Sequence, residues 1–441
     1  MKYDKFFELA KAAGIEEAEL SVSTSYSLSF SLFHGEIDNY STSNSSTYLA
    51  RGIYKGRMGA VVSDVYNANV AKYFVEQIVN HASVIENDDP VFIFKGSEKY
   101  RKINTFNCQL GNIPVETKIS IAKQIEEEVR HGDPRIVEVQ TVAYDESMTS
   151  STIMNSHGLK LSQKNNYFLY YAGAVAKEKD QTKTGGDVYF GNDFDRFVPS
   201  ELVKSVIKET VDQLGGTPCE TSTYKAVLSN DVVSSLLSAY LSSAIAEDVQ
   251  KNSSLFVGKL NQKVASSKVT VEDLPLARTV FARSFDDEGV ATYNKAIVKN
   301  GVLQTYLYNL TTAAKDNVQS TGNGVVGAGS KVYTSPCFLQ MKPGKKSIEE
   351  LFVEVGNGVY ITEVSGLHAG LNPRSGNFSL QSTGYMIENG KKGHPLDIIT
   401  VSGNLVDLFN SIVTVGGDSR TFLSAIRCPS VVIKKIAVSG N

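Results

Sequence analysis

Histidine and cysteine, the side chains that most often hold a catalytic metal, are scarce in this sequence, with six and four among 441 residues. No HxxxH, HxxxxH, HxH or HxxE pattern occurs. The cysteines (Cys108, Cys219, Cys337 and Cys428) stand far apart and form no CxxC pair, which excludes a zinc ribbon and a disulfide framework. Tryptophan is absent. No run approaches the ~18 apolar residues of a membrane-spanning helix. The opening Lys2-Tyr3-Asp4-Lys5 puts charges where a secretory signal keeps its apolar core, so a cytoplasmic protein is expected. Basic surplus is missing too: Lys+Arg 44 against Asp+Glu 47 gives a net charge of −3, without a basic block. Nucleic-acid affinity comes largely from clustered Lys and Arg, so direct nucleic-acid binding is not expected. There is no GxSxG elbow, since Ser402 lies in Val401-Ser402-Gly403-Asn404. The glycine-rich stretch 321–329 lacks the Gly-Lys-Ser/Thr of a phosphate loop and fits a mobile loop over a cleft.

What is present describes an α+β protein of more than one domain. Residues 3–13 have a helical period, with Phe6, Leu9 and Ala10 on one face. From Ala18 to Ser63 the period becomes two, as in Leu28-Ser29-Phe30-Ser31-Leu32, with His34-Gly35 and Lys55-Gly56 where hairpin turns belong. Helices follow over 69–87, 115–131 and 199–214, the second carrying Glu126-Glu127-Glu128 mostly on its solvent side. Strands are expected over 136–144, 150–155, 166–175 and 187–190. Gly215-Gly216 ends a mixed first domain, 1–216, divisible at about residue 110. A β-rich domain over 220–441 opens with a strand and one long helix over 231–250. Gly and Asn in Asn300-Gly301, Gly356-Asn357-Gly358, Asn389-Gly390 and Ser402-Gly403-Asn404 mark hairpin and bulge positions.

The second half carries Ser254-Leu255-Phe256-Val257-Gly258-Lys259-Leu260, Phe285-Asp286-Asp287-Glu288-Gly289-Val290 and Ile297-Val298-Lys299-Asn300-Gly301-Val302-Leu303. Ser320-Thr321-Gly322-Asn323, Gly358-Val359-Tyr360-Ile361-Thr362-Glu363, Ser375-Gly376-Asn377-Phe378-Ser379 and Gly384-Tyr385-Met386-Ile387-Glu388-Asn389-Gly390 follow in order. Together these motifs resemble the TldD/PmbA metallopeptidase family. In the first half the likeness is confined to the amphipathic start and the stretch from Arg51-Gly52-Ile53 to Gly59. The resemblance implies that the catalytic branch, TldD, carries HExxxH on the helix that opens this domain. Its histidines hold Zn²⁺, and its Glu is the general base on bound water. A cysteine near the C-terminus is associated with that site. The PmbA/TldE branch lacks the motif and pairs with TldD in a peptidase acting on extended peptides.

Here the corresponding helix reads Leu236-Leu237-Ser238-Ala239-Tyr240-Leu241-Ser242-Ser243. Aligned on the apolar pair, Ser238 and Ser243 take the histidine positions and Ala239 the glutamate. Serine hydroxyls are poor Zn²⁺ ligands at neutral pH, and an alanine moves no proton. The small residues Ser235, Ser238, Ser242 and Ala246 form a stripe that either admits another backbone or floors a cleft. Only His368 and His394 occur in the second domain, each in a glycine-rich turn.

Other groups admit both a functional and a plain reading. Asp286, Asp287 and Glu288 either bind a cation or peptide amines, or make a turn that satisfies backbone amides. Cys428 matches the family's C-terminal cysteine, as a relic of the metal site or as buried core. Glu247-Asp248 opposes the dipole at the end of the expected helix, so an ion pair with Lys251 is expected.

The sequence therefore reads as a non-catalytic, TldE-like subunit with no cofactor of its own. Zinc is expected in a TldD-like catalytic partner, extended peptides are the substrates, and a homodimer forms in isolation. The rival readings are an independent hydrolase built on Asp286, Asp287, Glu288 and Cys428, and an indirect regulator of a DNA enzyme.

Overall fold

A computed structural model describes residues 3–86, 89–327 and 331–440. The first half forms a six-stranded antiparallel sheet in the order β3-β2-β1-β4-β5-β6. Its strands are β1 (Glu17–Phe33), β2 (Glu36–Tyr54), β3 (Arg57–Ser63), β4 (Ile136–Asn155), β5 (Lys160–Glu178) and β6 (Gln181–Gly191). The alternation in β1 sorts its faces. Leu20, Val22, Leu28, Phe30 and Leu32 are buried, while the intervening serines stay half-buried on the other side. Helices α1 (Asp4–Ala12) and α2 (Ala68–Val84) cover one end of the apolar face through Phe6, Phe74 and Ile78. Helices α3 (Val115–Gly132) and α4 (Pro199–Val211) cover the rest through Ile125, Val129, Val203 and Val206. The hairpin turns fall where expected, with positive φ at His34-Gly35 and Lys55-Gly56.

The second half is built on β7 (Ser222–Leu228), β8 (Gly358–Ser365), β9 (Asn377–Glu388), β10 (Lys391–Asn404) and β11 (Val431–Ser439). They pair in the order β10-β9-β8-β7-β11, and β11 returns to β10 through Thr400↔Ser439, closing a five-stranded barrel. A second sheet of short strands lies beside it, including Val271–Asp273, Lys295–Lys299, Leu339–Met341 and Ile426–Cys428. Between barrel and sheet runs α5 (Asn230–Leu241), capped by Ser229, whose hydroxyl accepts from the Val232 amide. Its Tyr240 stacks on Phe409 at 4.5 Å and meets Phe256 edge-on at 5.0 Å.

Three expectations need correction. The helix expected over 231–250 is divided: α5 ends at Leu241, a 3₁₀ turn spans Ser242–Ala244, and α6 covers Ala246–Gln250. The break is tertiary in origin. Ile245 is extended and bridges Leu307, with Ala246 N donating to Leu307 O and Leu307 N to Ala244 O. Ser402-Gly403-Asn404 is not a turn but the end of β10, where the Gly403 backbone lies against the Phe378 ring. Glu126 does not join its neighbours in solvent: it is buried, accepting from the Gly35 amide and from Arg130. In the glycine-rich stretch, Gly324–Val326 pairs as a strand with Val332–Thr334, while residues 328 and 329 lie outside the described residues.

At Gly59 on β3 the backbones of helix α2 and the sheet come close together. A Cβ there would stand 2.0 Å from the Ile78 carbonyl oxygen of α2. Gly59→Ala is expected to cost about 1–3 kcal/mol by forcing α2 off the sheet, read as a lowered denaturation midpoint.

Candidate functional site

The acidic run after Phe285 folds as a tight turn. Asp286 is buried, and its Oδ1 accepts from the amides of Glu288 (3.0 Å) and Val290 (2.9 Å). Its Oδ2 accepts from the Gly324 amide at 2.8 Å. Asp287 takes the Val326 amide at 2.9 Å and pairs with Arg283. Glu288 takes the Leu310 amide, at the start of α7 (Leu310–Lys315), at 2.8 Å through Oε2. Burial raises the pKa of both Asp286 and Glu288. Three backbone donors and Arg283 oppose this at Asp286. At Glu288 the neighbouring Asp286 charge adds to burial, and the group is pushed up to about 8.

This turn closes one side of a cavity of about 690 Å³ between the two halves. From the first half comes Arg51, on β2 directly opposite Glu19 of β1. Both are buried, at 3% and 1% exposure, and Arg51 donates to Glu19 Oε1 from Nε (3.0 Å) and Nη2 (2.5 Å). Burial raises the Glu19 pKa against the pull of Arg51, and its Oε2 has no hydrogen-bond partner among the described residues. From the second half, α6 contributes Glu247 and Gln250, with Lys251 capping its end, and α7 contributes Thr311, Thr312 and Lys315. The expected ion pair is there: Lys251 to Glu247 at 2.6 Å.

The positions aligned with the zinc motif do not converge. Ser238 is exposed on α5, Ala239 is half-buried beside the core, and Ser243 is buried in the 3₁₀ turn. One exposed hydroxyl, one methyl and one buried hydroxyl make a donor set that does not fit a catalytic zinc. Among the described residues no group of three or more His, Cys, Asp and Glu side chains is arranged to hold a metal ion. His368 is exposed, and His394 is exposed with Glu388 at 3.2 Å. The small-residue stripe is mixed: Ser238 and Ser242 face outward, while Ala246 is buried.

Cys428 lies at the other end of α5. It is buried, its Sγ donates to the Asn230 carbonyl at 3.1 Å, and burial with the nearby Asp231 pushes its thiol far up. Held as a thiol, it would be a poor nucleophile. The structure thus brings Asp286, Asp287 and Glu288 together, while the polar neighbours of Cys428 are Asn230, Asp231, Ser234 and Asp418, none of them in that turn.

Arg51 and Glu19 were not singled out from the sequence as site residues. Their signal was a lone charge of each sign in two apolar segments, Ala18-Glu19-Leu20 and Leu49-Ala50-Arg51. Asp273 and Lys295 were missed as well. Asp273 is fully buried, accepting the Cys337 and Phe338 amides, Lys295 Nζ (3.0 Å) and Asn323 Nδ2 (2.8 Å). That network accounts for Thr321 and Asn323 of the Ser320–Asn323 motif as structural residues, since Thr321 donates to Asn323 Oδ1.

Comparison with known proteins gives one consistent result. Models of the PmbA/TldA metallopeptidase C-terminal domain, central domain and domain 1 match residues 221–440, 108–214 and 18–80. A metalloprotease PmbA homolog of Buchnera aphidicola is 30% identical over 74% of this chain and 71% of its own length. Metalloprotease PmbA of Escherichia coli is 23% identical over 96% and 92%. Among crystal structures, a Thermotoga maritima protein proposed as a modulator of a DNA gyrase superposes with a TM-score of 0.92. It is 32% identical, with 99% of both chains covered. TldE of Thermococcus kodakarensis has the same fold, with a TM-score of 0.92 at 20% identity over the whole of both chains.

Glu288 makes stability depend on pH in one direction. A carboxyl whose folded pKa is raised contributes stability that is complete below its unfolded value and lost as pH rises through the folded one. Unfolding free energy should therefore fall from about pH 4.5, the group's ordinary value, to about pH 8 and level off above it. Glu288→Gln, which keeps the uncharged shape, should flatten that fall in denaturant titrations. An unchanged slope would show that Glu288 titrates normally.

Proposed function

Because the chain belongs to the PmbA/TldD metallopeptidase family, we propose that it is a non-catalytic, TldE-type subunit that pairs with a TldD-like zinc peptidase. The observation that carries this reading is the fate of the motif positions: Ser238, Ala239 and Ser243 supply neither a metal ligand set nor a base, and the helix that would carry them ends at Leu241. Its role is to hold an extended peptide for the partner. Two features suit that task. A cavity of about 640 Å³ lies between the serine and threonine face of β4, at Ser147, Thr149 and Ser151, and Phe281, Pro336 and Cys337 of the second half. It offers hydroxyl groups and no strong charge preference. Among the described residues the outer edge of β2 over 36–47, away from β1, has no strand beside it, because β3 pairs only with Tyr48–Tyr54. Such an edge accepts an added strand through backbone hydrogen bonds. Two copies, or one copy and a partner, would enclose the path.

The rival hydrolase needs Cys428 beside the acidic turn, whereas the polar groups around Cys428 are Asn230, Asp231, Ser234 and Asp418. No helix among the described residues is long and apolar enough to cross a membrane.

The purified chain should contain no stoichiometric zinc and should not hydrolyse an unfolded peptide, whereas mixing with a TldD-like subunit should give EDTA-sensitive cleavage. Light scattering should show a dimer for the chain alone. Metal-dependent hydrolysis by the chain free of any such partner would overturn the assignment.

A further inference from the structure

The inner end of the cavity between the halves holds more acceptors than donors. Three buried carboxyls, Glu19, Asp286 and Glu288, surround the single guanidinium of Arg51, and the charge of each acts on it. Asp286 is provided for by three backbone amides. Arg51 gives Nε and Nη2 to Glu19 Oε1 and forms no ion pair with Glu288. That leaves two oxygens. Glu19, 1% exposed, keeps its Oε2 shut off from solvent with no hydrogen-bond partner among the described residues. Glu288, 4% exposed, lines the cavity and accepts through Oε2 alone, so its Oε1 is spare. Glu288 feels the charge of Glu19 as well as that of Asp286, which puts the two spare acceptors in one neighbourhood. A buried anion with an unmet oxygen is costly. What is missing is a donor, and one that carries positive charge.

The surroundings narrow the choice. A hard divalent cation takes roughly six to eight oxygens, and among the described residues no three His, Cys, Asp or Glu side chains are arranged to hold a metal ion. A primary ammonium asks for less, since it brings three N–H donors and one charge in a compact head. The volume of about 690 Å³ suits a ligand larger than an ion, and Met58, Val91 and Phe92 give the cavity an apolar wall. Of the lysines along it, Lys251 and Lys315 are neutralised by Glu247 and Asp89. Lys331 is exposed, has no carboxylate partner among the described residues and lies over the Tyr333 ring. It opposes the entry of a cation, so the attraction comes from the inner carboxyls. Burial and the neighbouring carboxylates push Glu288 up to about 8, as befits a carboxyl with no cation of its own.

We propose that this cavity receives a primary ammonium of an extended peptide, its N-terminus or a lysine side chain, with Glu288 Oε1 as the contact on the cavity wall and Glu19 Oε2 as the acceptor behind it. The proposal rests on the reading that this chain handles extended peptides. With Asp286 held by amides, the ammonium and Arg51 together balance Glu19 and Glu288, charge for charge. The peptide side chain next to the ammonium rests on Val91 and Phe92.

The test uses the full-length chain alone near neutral pH, with three unstructured hexapeptide amides labelled near the C-terminus and followed by fluorescence anisotropy. One has a free N-terminus and no lysine, one is the same peptide acetylated, and one is acetylated and carries a lysine. A peptide bearing the ammonium should bind about tenfold or more tightly than the acetylated, lysine-free one, a difference of ~1.4 kcal/mol. Which of the two ammonium peptides shows that preference tells the N-terminus from the side chain. Glu288→Gln keeps the shape and removes the charge. With its fold checked by circular dichroism, it should bind the preferred peptide no better than the acetylated one. Lys331→Ala removes the opposing charge, should tighten ammonium binding several-fold, and serves if Glu288→Gln does not fold. Equal binding of all three peptides, no binding of any, or a preference surviving in folded Glu288→Gln would overturn the proposal. So would weaker ammonium binding by Lys331→Ala. Zinc-dependent hydrolysis by the chain alone would overturn the non-catalytic reading without altering the ratio of ammonium to acetyl binding.

Discussion

The carboxylate of Asp286, 1% exposed, gathers amides from two separate stretches of chain: Glu288 and Val290 from its own turn, and Gly324 from a strand beyond. A buried anion is tolerable only when such donors replace its water. Here the replacement also fixes geometry. With Asp286 held, Glu288 projects so close to Gly324 that a Cβ there would stand 2.5 Å from its Oε2. The following Gly289 takes φ +84 and presents its carbonyl to the Tyr100 hydroxyl, while the Ala291 amide donates to Ser97. The two halves of the molecule therefore meet on a turn whose shape is set by one carboxylate. The position of Glu288 against Arg51 follows from it.

Features decided by nearest neighbours were legible in the sequence. Positive φ at His34-Gly35, Lys55-Gly56, Asn300-Gly301 and Asn389-Gly390 follows from the tolerance of Gly and Asn and from the primed turns of hairpins. The period-two burial of β1 and the mixed α+β class followed from side-chain alternation. What depended on distant partners was not legible. The apolar stripe from Val233 to Ile245 continues past Leu241, so nothing local announces the break that the Leu307 bridge imposes. Glu126 looks like its neighbours until the Gly35 amide arrives from 91 residues away. Arg51 and Glu19 become a pair only once the register of β1 on β2 is known. The candidate site was half visible: the acidic run was seen, while the basic group facing it and the neighbours of Cys428 required the fold.

With serine and alanine at Ser238, Ala239 and Ser243, the frame around α5 is ordered. Its N-cap, the Tyr240–Phe409 stack and the hydrogen bond from Tyr240 to the Val264 carbonyl are all in place. The packing of this helix is independent of what stands on its outward side, because the packing residues lie on the opposite face. Leu236, Leu237 and Tyr240 point inward, and Ser238 points out.

The pairing of β1 with β4 has a consequence for how the chain is made. Hairpin partners β1 and β2 find each other within microseconds of emerging. The other edge of β1 must wait for β4, since Leu32 pairs with Val142 and Leu20 with Met154. At a synthesis rate of about 5–20 residues per second, that wait is on the order of ten seconds. Throughout it Leu28, Phe30 and Leu32 have β2 on one side and no strand on the other, inviting a holdase on the ribosome. A nascent chain released before Ile136 would keep that edge open for good.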